Sequence, residues 1–287
     1  MQILGDYYEL AKPRIIVLLL ITTVAAMIMA ARGIPPLALT FWTLLGGALA
    51  AGSAGALNCV YDADIDKVMR RTALRPIPQG RISIRNATIY AVVLGVAAFA
   101  ILYFLVNPLA AWLSLAGNVY YVAIYTMWLK RLTPLNIVIG GAAGSVPPLV
   151  GWAAITHQIG GPALGLFALI FLWTPPHFWS LALVAETDYD KANVPMMPNV
   201  AGEERTKREI IYYTILLVIA SLALYPLHIM GVAYTAAAAV LGGIFLYDTV
   251  RTWKDAGTQW ARRTFRFSLL YLALMCLMMV VDRIVGA

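Results

Sequence analysis

The sequence has few charged residues, and this scarcity argues against a soluble fold. Asp, Glu, Lys and Arg make up 12% of its 287 residues, whereas a soluble domain carries about 25%. Hydrophobic residues make up 61% of the chain, and the mean hydropathy is +0.78. One globular core does not need so much apolar surface, but a bundle of membrane-spanning helices does. The composition therefore predicts an integral membrane protein.

Cysteine is also scarce, which argues against a disulfide framework or a cysteine metal site. Cys59 and Cys276 lie in apolar segments far apart, and no CxxC or Cys/His metal spacing appears. We interpret both as small core residues. No segment is typical of a cleavable signal peptide or a transit peptide, and this favours a bacterial or archaeal inner-membrane protein.

Long uncharged runs predict how often the chain crosses the membrane. Three runs are each about as long as one span, which takes roughly 20 residues. They are residues 15–31, 33–61 and 267–281. Three longer runs can hold two spans each, and each contains turn-forming residues near its middle. These are residues 86–129, 132–185 and 210–247, and their predicted breaks are Asn107-Pro108, His157 to Pro162, and Tyr225 to His228. The sequence predicts an all-α polytopic membrane helix bundle with nine transmembrane helices.

Lysine and arginine positions predict the orientation of this bundle. Nine helices leave five segments on the side of the N-terminus, and these hold 19 of the 21 Lys and Arg residues. Only Arg32 and Arg283 lie on the other side. Since cytoplasmic loops carry the excess of positive charge, we expect a cytoplasmic N-terminus and a C-terminus on the outer side. Cations in short juxtamembrane loops argue against a nucleic-acid partner and favour anionic lipid or an anionic substrate.

Two polar connections are longer than the others. Residues 62–85 and 186–209 follow the second and sixth predicted spans, and each begins with acidic residues and continues into basic ones. No soluble domain is apparent. Residues 1–287 are therefore predicted to form a single intramembrane domain in which these two connections are cytoplasmic cap loops.

The first cap loop opens with an acidic motif, "NCVYDADID", at residues 58 to 66. Asn58, Asp62 and Asp66 are spaced by four, so on a helix they share one face, whereas Asp64 points elsewhere. Clustered carboxylates repel one another unless a cation is bound. Mg²⁺ takes hard oxygen ligands, typically one or two carboxylates together with phosphate oxygens of a substrate. The motif is therefore a candidate Mg²⁺ site.

Arginines follow the acids in "MRRTALRPIPQGR", and guanidinium groups match phosphate geometry. Together the two halves indicate a site for a metal-bound diphosphate whose apolar tail lies among the helices. The alternative is a solvated loop whose arginines reflect only the positive-inside bias. The second acidic connection, with Glu186, Asp188 and Asp190, favours the diphosphate site, because two acidic segments on one side of the membrane can converge.

At these residues the sequence resembles the UbiA-type intramembrane prenyltransferases. Their signature Asn-x-x-x-Asp-x-x-x-Asp is matched by Asn58, Asp62 and Asp66. The stretches "DIDKVMRRTALRPIPQGRIS" and "PPHFWSLAL…DYDKANVPMMP" are similar to the haem O synthase (protohaem IX farnesyltransferase) subfamily, and the similarity covers nearly the whole chain. Many superfamily members have Asp-x-x-x-Asp in the second motif. Here Asp188 is followed four residues later by Ala192, which leaves the second set of metal ligands open.

The resemblance implies an Mg²⁺-dependent enzyme. It would transfer a farnesyl group from farnesyl diphosphate to a vinyl group of haem B, with addition of water, giving haem O for haem–copper terminal oxidases. Haem B is a substrate in this reaction rather than a cofactor. The implied active site faces the cytoplasm from the cell (inner) membrane. The implied partners are membrane lipid and other membrane proteins of haem biosynthesis or oxidase assembly.

The resemblance also implies roles for individual residues. The implied metal ligands and catalytic residues are Asn58, Asp62, Asp66 and Asp188. The implied diphosphate-binding residues are Arg14, Arg71, Arg75 and Lys130.

His177 is the only histidine inside a predicted span. Ionisable groups within a membrane are frequently functional, and histidine is a common haem ligand. The resemblance favours a haem-binding role for His177. The alternative is a neutral histidine that forms a hydrogen bond between helices.

Two other functions fit parts of the pattern. A UbiA-type enzyme acting on an aromatic quinone precursor would share the metal site but would not need His177 or the "VPMMP" segment. A membrane transporter would place its binding site near the membrane midplane, whereas the charges of this chain lie close to one interface.

Overall fold

The computed structural model describes residues 2–185, 191–192 and 194–286, and within these residues the chain forms helices and no strands. The helices are α1 (Gln2–Leu10), α2 (Pro13–Ala31), α3 (Leu37–Tyr61), α4 (Ala63–Val68), α5 (Ile84–Leu105), α6 (Pro108–Val119), α7 (Asn136–Thr156), α8 (Gly161–Val184), α9 (Met197–Ala201), α10 (Glu203–Ala223), α11 (Val232–Lys254) and α12 (Gln259–Val285). A π-helical segment (Tyr120–Trp128) and a 3₁₀ turn (Leu129–Arg131) continue α6. The all-α prediction is confirmed.

Seven helices in the described part of the chain are long and apolar enough to cross a membrane. They are α2, α3, α5, α7, α8, α11 and α12. Two further long segments coincide with predicted spans. The helix beginning at Pro108 changes to π geometry at Tyr120, and α10 begins with a charged turn. The protein is an integral membrane protein, and the count of nine crossings remains a prediction.

Turn residues separate successive helices inside the long uncharged runs. Asn107 caps α6, because its side-chain oxygen accepts a hydrogen bond from the amide of Ala110 at 2.9 Å. Its amide nitrogen donates to the carbonyl of Ala153 at 2.8 Å, which ties this turn to α7. His157 ends α7 in a left-handed conformation, with φ at 58°. The predicted breaks at Asn107 and His157 are therefore confirmed.

Small residues let the helices approach closely. A Cβ atom added to Gly151 of α7 would lie 2.3 Å from the carbonyl oxygen of Thr23 in α2, so only glycine fits there. The largest core cluster lies among α2, α7, α8, α10, α11 and α12 and includes Trp173, Phe245 and Tyr271. Cys59 and Cys276 are both buried and unpaired, as expected for core residues.

Candidate active site

The acidic motif lies where α3 passes into α4. The backbone amides of Asp62 and Asp66 donate to the carbonyls four residues earlier, at 2.9 and 2.8 Å, so the helical spacing continues through the junction. Asn58, Asp62 and Asp66 are all buried, with exposed fractions of 4%, 1% and 2%. The Asp64 side chain, in contrast, is 64% exposed. The predicted separation of these three residues from Asp64 is confirmed.

Cationic side chains from three separate segments contact the motif. Lys130 forms an ion pair with Oδ2 of Asp62, and Lys12 donates from Nζ to Oδ1 of Asn58 at 2.5 Å. Arg75 forms an ion pair with Oδ2 of Asp66 at 2.7 Å. A buried carboxylate is stable only if it is paired. These cations therefore compensate the charge that α3 and α4 carry into the membrane interface.

Among the described residues, one oxygen of the motif has no hydrogen-bond partner. Oδ2 of Asp62 accepts from Nδ2 of Asn58 at 2.8 Å as well as from Lys130, whereas Oδ1 of Asp62 is buried and has no hydrogen bond to any described residue. An unsatisfied buried acceptor is costly, and a carboxylate oxygen is the ligand type that Mg²⁺ prefers. The residues present therefore fit the ion that the motif suggested.

A third carboxylate from the second acidic motif was also expected. Asp188, together with Glu186 and Asp190, lies outside the described residues. Among the described residues, no group of three or more His, Cys, Asp and Glu side chains is arranged to hold a metal ion.

The described part of the second cap loop nevertheless contacts the first. Val194 and Met196 share a buried cluster with Ile65 and Met69, which belong to the first cap loop. Asn136 of α7 donates from Nδ2 to the carbonyl of Pro195 at 3.2 Å. The described part of the second cap loop therefore lies beside the first, at the end of the bundle where the acidic motif is buried.

The π-helical segment brings two polar groups to the motif. Thr126 lies within it and accepts a hydrogen bond from Nδ2 of Asn58 at 3.1 Å. Lys130 follows in the 3₁₀ turn and has a largely buried side chain, 16% exposed. Irregular helical turns of this kind occur frequently at functional sites. Sequence analysis did not select Thr126, because an uncharged hydroxyl inside an apolar run carries no distinctive signal.

Lys12 was also missed, although it touches the motif directly. Its backbone is left-handed, with φ at 59° and ψ at 57°, and Pro13 follows it. This conformation is unfavourable for a non-glycine residue before proline, and such strain occurs preferentially at functional sites. Burial lowers the pKa of Lys12 below its usual value. A Cβ atom at Gly55 of α3 would lie 3.2 Å from the carbonyl oxygen of Ala11 and 3.4 Å from Cδ of Lys12, so this glycine lets the Lys12 segment pack closely on α3. One glycine in a glycine-rich helix, however, gives no distinctive signal in the sequence.

The other two cations predicted to bind diphosphate, Arg14 and Arg71, lie at exposed positions, and Arg131, which was not predicted, binds Asp64. Arg14 is exposed in the first turn of α2, and within the described residues no contact joins it to the motif. Arg71 is exposed. Arg131 holds the exposed Asp64 through two hydrogen bonds of 2.7 and 2.8 Å, and this contact lowers the pKa of Asp64 to about 2. Of the four cations predicted to bind diphosphate, Arg75 and Lys130 contact the acidic motif.

His177 lies in the interior of α8 and is 7% exposed. Its ring stacks between Trp173 and Phe265, with centroid distances of 4.1 and 4.7 Å. Its Nδ1 lies 2.7 Å from Oγ of Ser268 in α12. The interhelical hydrogen bond expected as the alternative is therefore present. It does not exclude a ligand role, because a second ring nitrogen remains.

Comparison with known proteins places this arrangement in a family. Residues 19–272 match the model of the UbiA prenyltransferase family. A protoheme IX farnesyltransferase of Synechocystis sp. is 55% identical over 96% of this chain and 88% of its own length. A protein of the same name from Roseiflexus sp. is 50% identical over 100% of this chain, which spans 54% of that longer relative.

Solved structures share the fold at low sequence identity. A digeranylgeranylglyceryl phosphate synthase superimposes with a TM-score of 0.83 at 18% identity, covering 99% of both chains. A UbiA homologue from Archaeoglobus fulgidus, bound to DMAPP and Mg²⁺, gives a TM-score of 0.69 at 18% identity, covering 98% of this chain and 100% of that chain. With a family match over residues 19–272 and a relative that is 55% identical over 96% of this chain, the chain belongs to the UbiA prenyltransferase family.

Proposed function

We propose that this protein transfers the farnesyl group of farnesyl diphosphate to a vinyl group of haem B and that the reaction requires Mg²⁺. The observation that carries the proposal is the buried Asn58–Asp62–Asp66 motif with its surrounding cations. Relatives at 50–55% identity that are named protoheme IX farnesyltransferase support the choice of donor and acceptor.

The bond changes define what the site must do. The allylic C–O bond of farnesyl diphosphate breaks, and its electron pair leaves with the diphosphate. The farnesyl cation then adds to the terminal carbon of the vinyl group, which leaves a cation on the carbon next to the porphyrin ring. Water adds there and loses a proton, so the product carries a hydroxyethylfarnesyl chain. The site must therefore neutralise diphosphate and keep water from the first cation.

Residues of the motif would hold the metal. Asn58, Asp62 and Asp66 offer amide and carboxylate oxygens, and Asp188 is the fourth ligand we propose. When bound, Mg²⁺ supplies Lewis-acid neutralisation of the leaving diphosphate. The ion pairs of Lys130 and Arg75 with the motif hold two cations where a diphosphate would also need them. We assign both to the diphosphate, with Arg14 and Arg71 as further candidates from the exposed side.

The haem would lie deeper in the bundle, where we assign His177 as its ligand. Its burial between α8 and α12 supports a site below the acidic motif rather than at the surface. Trp173 and Phe265 stack on both faces of the ring, so the imidazole is held in one plane.

Purified protein incubated with haem B, farnesyl diphosphate and Mg²⁺ tests the proposal. We expect the pigment to gain the mass of a farnesyl group and one water, and expect no gain after chelation of the divalent ion. Unchanged haem together with prenylation of an aromatic acid would instead favour the quinone-precursor alternative. Family membership already argues against the transporter alternative.

We further propose nine crossings, with the N-terminus and the active site on the cytoplasmic side, within one intramembrane domain spanning residues 1–287. The helical segments 108–128 and Glu203–Ala223 would raise the number of crossings from seven to nine. Their ends match the predicted turns. The lysines and arginines on the N-terminal side of such a bundle support the orientation. Reporter fusions at residues 107 and 131 test it, because they should report outer and cytoplasmic locations, respectively.

A further inference from the structure

Two side chains of α8 hold the same residue of α12. Trp173 donates from Nε1 to the backbone carbonyl of Ser268 at 2.7 Å. One turn later, Nδ1 of His177 lies 2.7 Å from Oγ of Ser268. Ser268 is completely buried. The proposed reaction uses His177 but gives no role to Ser268.

The hydroxyl of Ser268 determines which ring nitrogen of His177 carries the proton. A serine hydroxyl has one hydrogen, and this hydroxyl donates to the backbone carbonyl of Phe265 at 2.7 Å. Oγ must therefore act as the acceptor in its contact with the ring, and Nδ1–H of His177 is the donor. In a neutral imidazole whose Nδ1 is protonated, Nε2 carries the lone pair.

Within the part of the chain that the structure describes, the hydrogen bond of the His177 ring is the one at Nδ1. The ring cannot turn freely, because Trp173 and Phe265 stack on its two faces at interplanar angles of 18° and 26°. Histidines that bind metals typically donate their other ring N–H to a second group, which fixes the tautomer and the ring orientation.

Building on the proposed haem substrate, we propose that Ser268 is a positioning residue that holds His177 in its Nδ1–H tautomer, so that Nε2 is presented to the iron of the acceptor haem. Ser268 itself touches neither iron nor substrate in this arrangement. Its effect passes entirely through His177, and this makes the two residues energetically dependent on each other.

Titration of the purified protein with protohaem, followed by resonance Raman spectroscopy of the ferrous complex, tests this role. We expect Ser268→Ala to weaken haem binding by about tenfold, the lower end for loss of an outer-shell partner, and to lower the Fe–N(His) stretching frequency. Ser180→Ala is the matched control. It removes another buried serine hydroxyl, three residues after His177 in α8, that donates to the backbone carbonyl of Pro176 at 2.6 Å, so the Fe–N stretch should stay unchanged.

A double variant tests whether Ser268 affects haem binding only through His177. Once His177→Ala has removed the ligand, adding Ser268→Ala should change haem affinity no further. The proposal is overturned if Ser268→Ala leaves both affinity and the Fe–N stretch unchanged, or if Ser180→Ala lowers the stretch equally. If Ser268→Ala does not fold, as judged by elution and helical circular dichroism, Ser268→Cys replaces it, because a thiol is a weaker acceptor of similar size.

The haem-modification assay separates this inference from the proposed function. A His177→Ala variant with an unchanged haem spectrum would overturn the positioning role, even if wild-type protein still produces farnesylated haem. If wild-type protein binds haem through His177 but never farnesylates it, the reaction is wrong and the positioning role stands.

Discussion

Each polar side chain buried at the end of α3 has a partner from elsewhere in the chain. Asn58 joins Lys12 before α2 to Thr126 in the π-helical segment, and Asp62 binds Lys130 just beyond it. The motif thus connects three segments of the chain. The two farthest apart contain Lys12 and Lys130, which are 118 positions apart (130 minus 12). Replacing Lys12, Asp62 or Lys130 removes a charge that is largely shielded from water, so the effect on stability or activity should be large.

Replacing Asp62 with Asn keeps the shape of the side chain but removes its charge. We expect turnover to fall by at least about 100-fold, because the metal and its diphosphate lose a ligand where charge develops. Haem binding, followed by its absorbance, should persist. Asp64→Asn is the matched control, since Asp64 is exposed and pairs with Arg131. Full activity of Asp62→Asn would exclude a role for this carboxylate in holding the metal.

Replacing Lys12 with Met removes the ammonium group that Asn58 binds. We expect kcat/KM for farnesyl diphosphate to fall by about tenfold or more, because a positive charge beside the proposed diphosphate site is lost. Lys67→Met is the matched control, since Lys67 is exposed near the same motif. Equal kinetics for the two variants would show that the Lys12 contact serves the fold alone.

At the scale of elements, glycines decide how closely helices pack. Gly151 and Gly144 both lie in α7, but a Cβ atom at Gly151 would meet the backbone of α2, whereas one at Gly144 would meet nothing within 4 Å. The same residue type in the same helix therefore has two different structural roles. Only the surroundings of each position distinguish them.

Gly151→Ala should destabilise the bundle, whereas Gly144→Ala should not. We expect a loss of about 1–3 kcal/mol for Gly151→Ala, because α2 and α7 must separate to admit the methyl group. For Gly144→Ala we expect a change within about 0.5 kcal/mol. Thermal unfolding in one detergent measures both. Similar melting temperatures for the two variants would contradict the close approach.

A second element-scale feature is the start of α11. Asp282 near the end of α12 accepts hydrogen bonds from the amides of Gly231 and Tyr234, at 2.5 and 3.2 Å. A carboxylate at a helix N-terminus satisfies free amides and interacts favourably with the helix dipole. The cap comes from a residue 51 positions away, so no local pattern could have identified it.

At the scale of the whole molecule, burial of the two cysteines depends on the intact bundle. Cys59 is 1% exposed and Cys276 is 4% exposed. We expect a thiol reagent to label native protein in detergent at least about 100-fold more slowly than a Leu74→Cys variant, because buried groups react only after opening. Leu74 is 73% exposed. Equally fast labelling of the native cysteines would show that the helices around them open readily.

The sequence alone determined what depends on composition and regular spacing. Apolar runs identified the membrane helices, because hydrocarbon accepts only segments whose backbone is internally hydrogen-bonded. Spacing by four separated Asn58, Asp62 and Asp66 from Asp64, because that spacing follows from helix geometry. The resemblance to a known family selected Lys130 and His177, which no periodic pattern would have selected.

Only the tertiary structure decided which distant groups meet. It brought Lys12 to Asn58, Thr126 to the same amide, and Ser268 to His177. These contacts join residues on different helices, and their partners are set by helix packing and by an unusual backbone conformation at Lys12. Neither leaves a periodic trace in the sequence, because a contact between helices depends on the position of each whole helix rather than on the residues beside it.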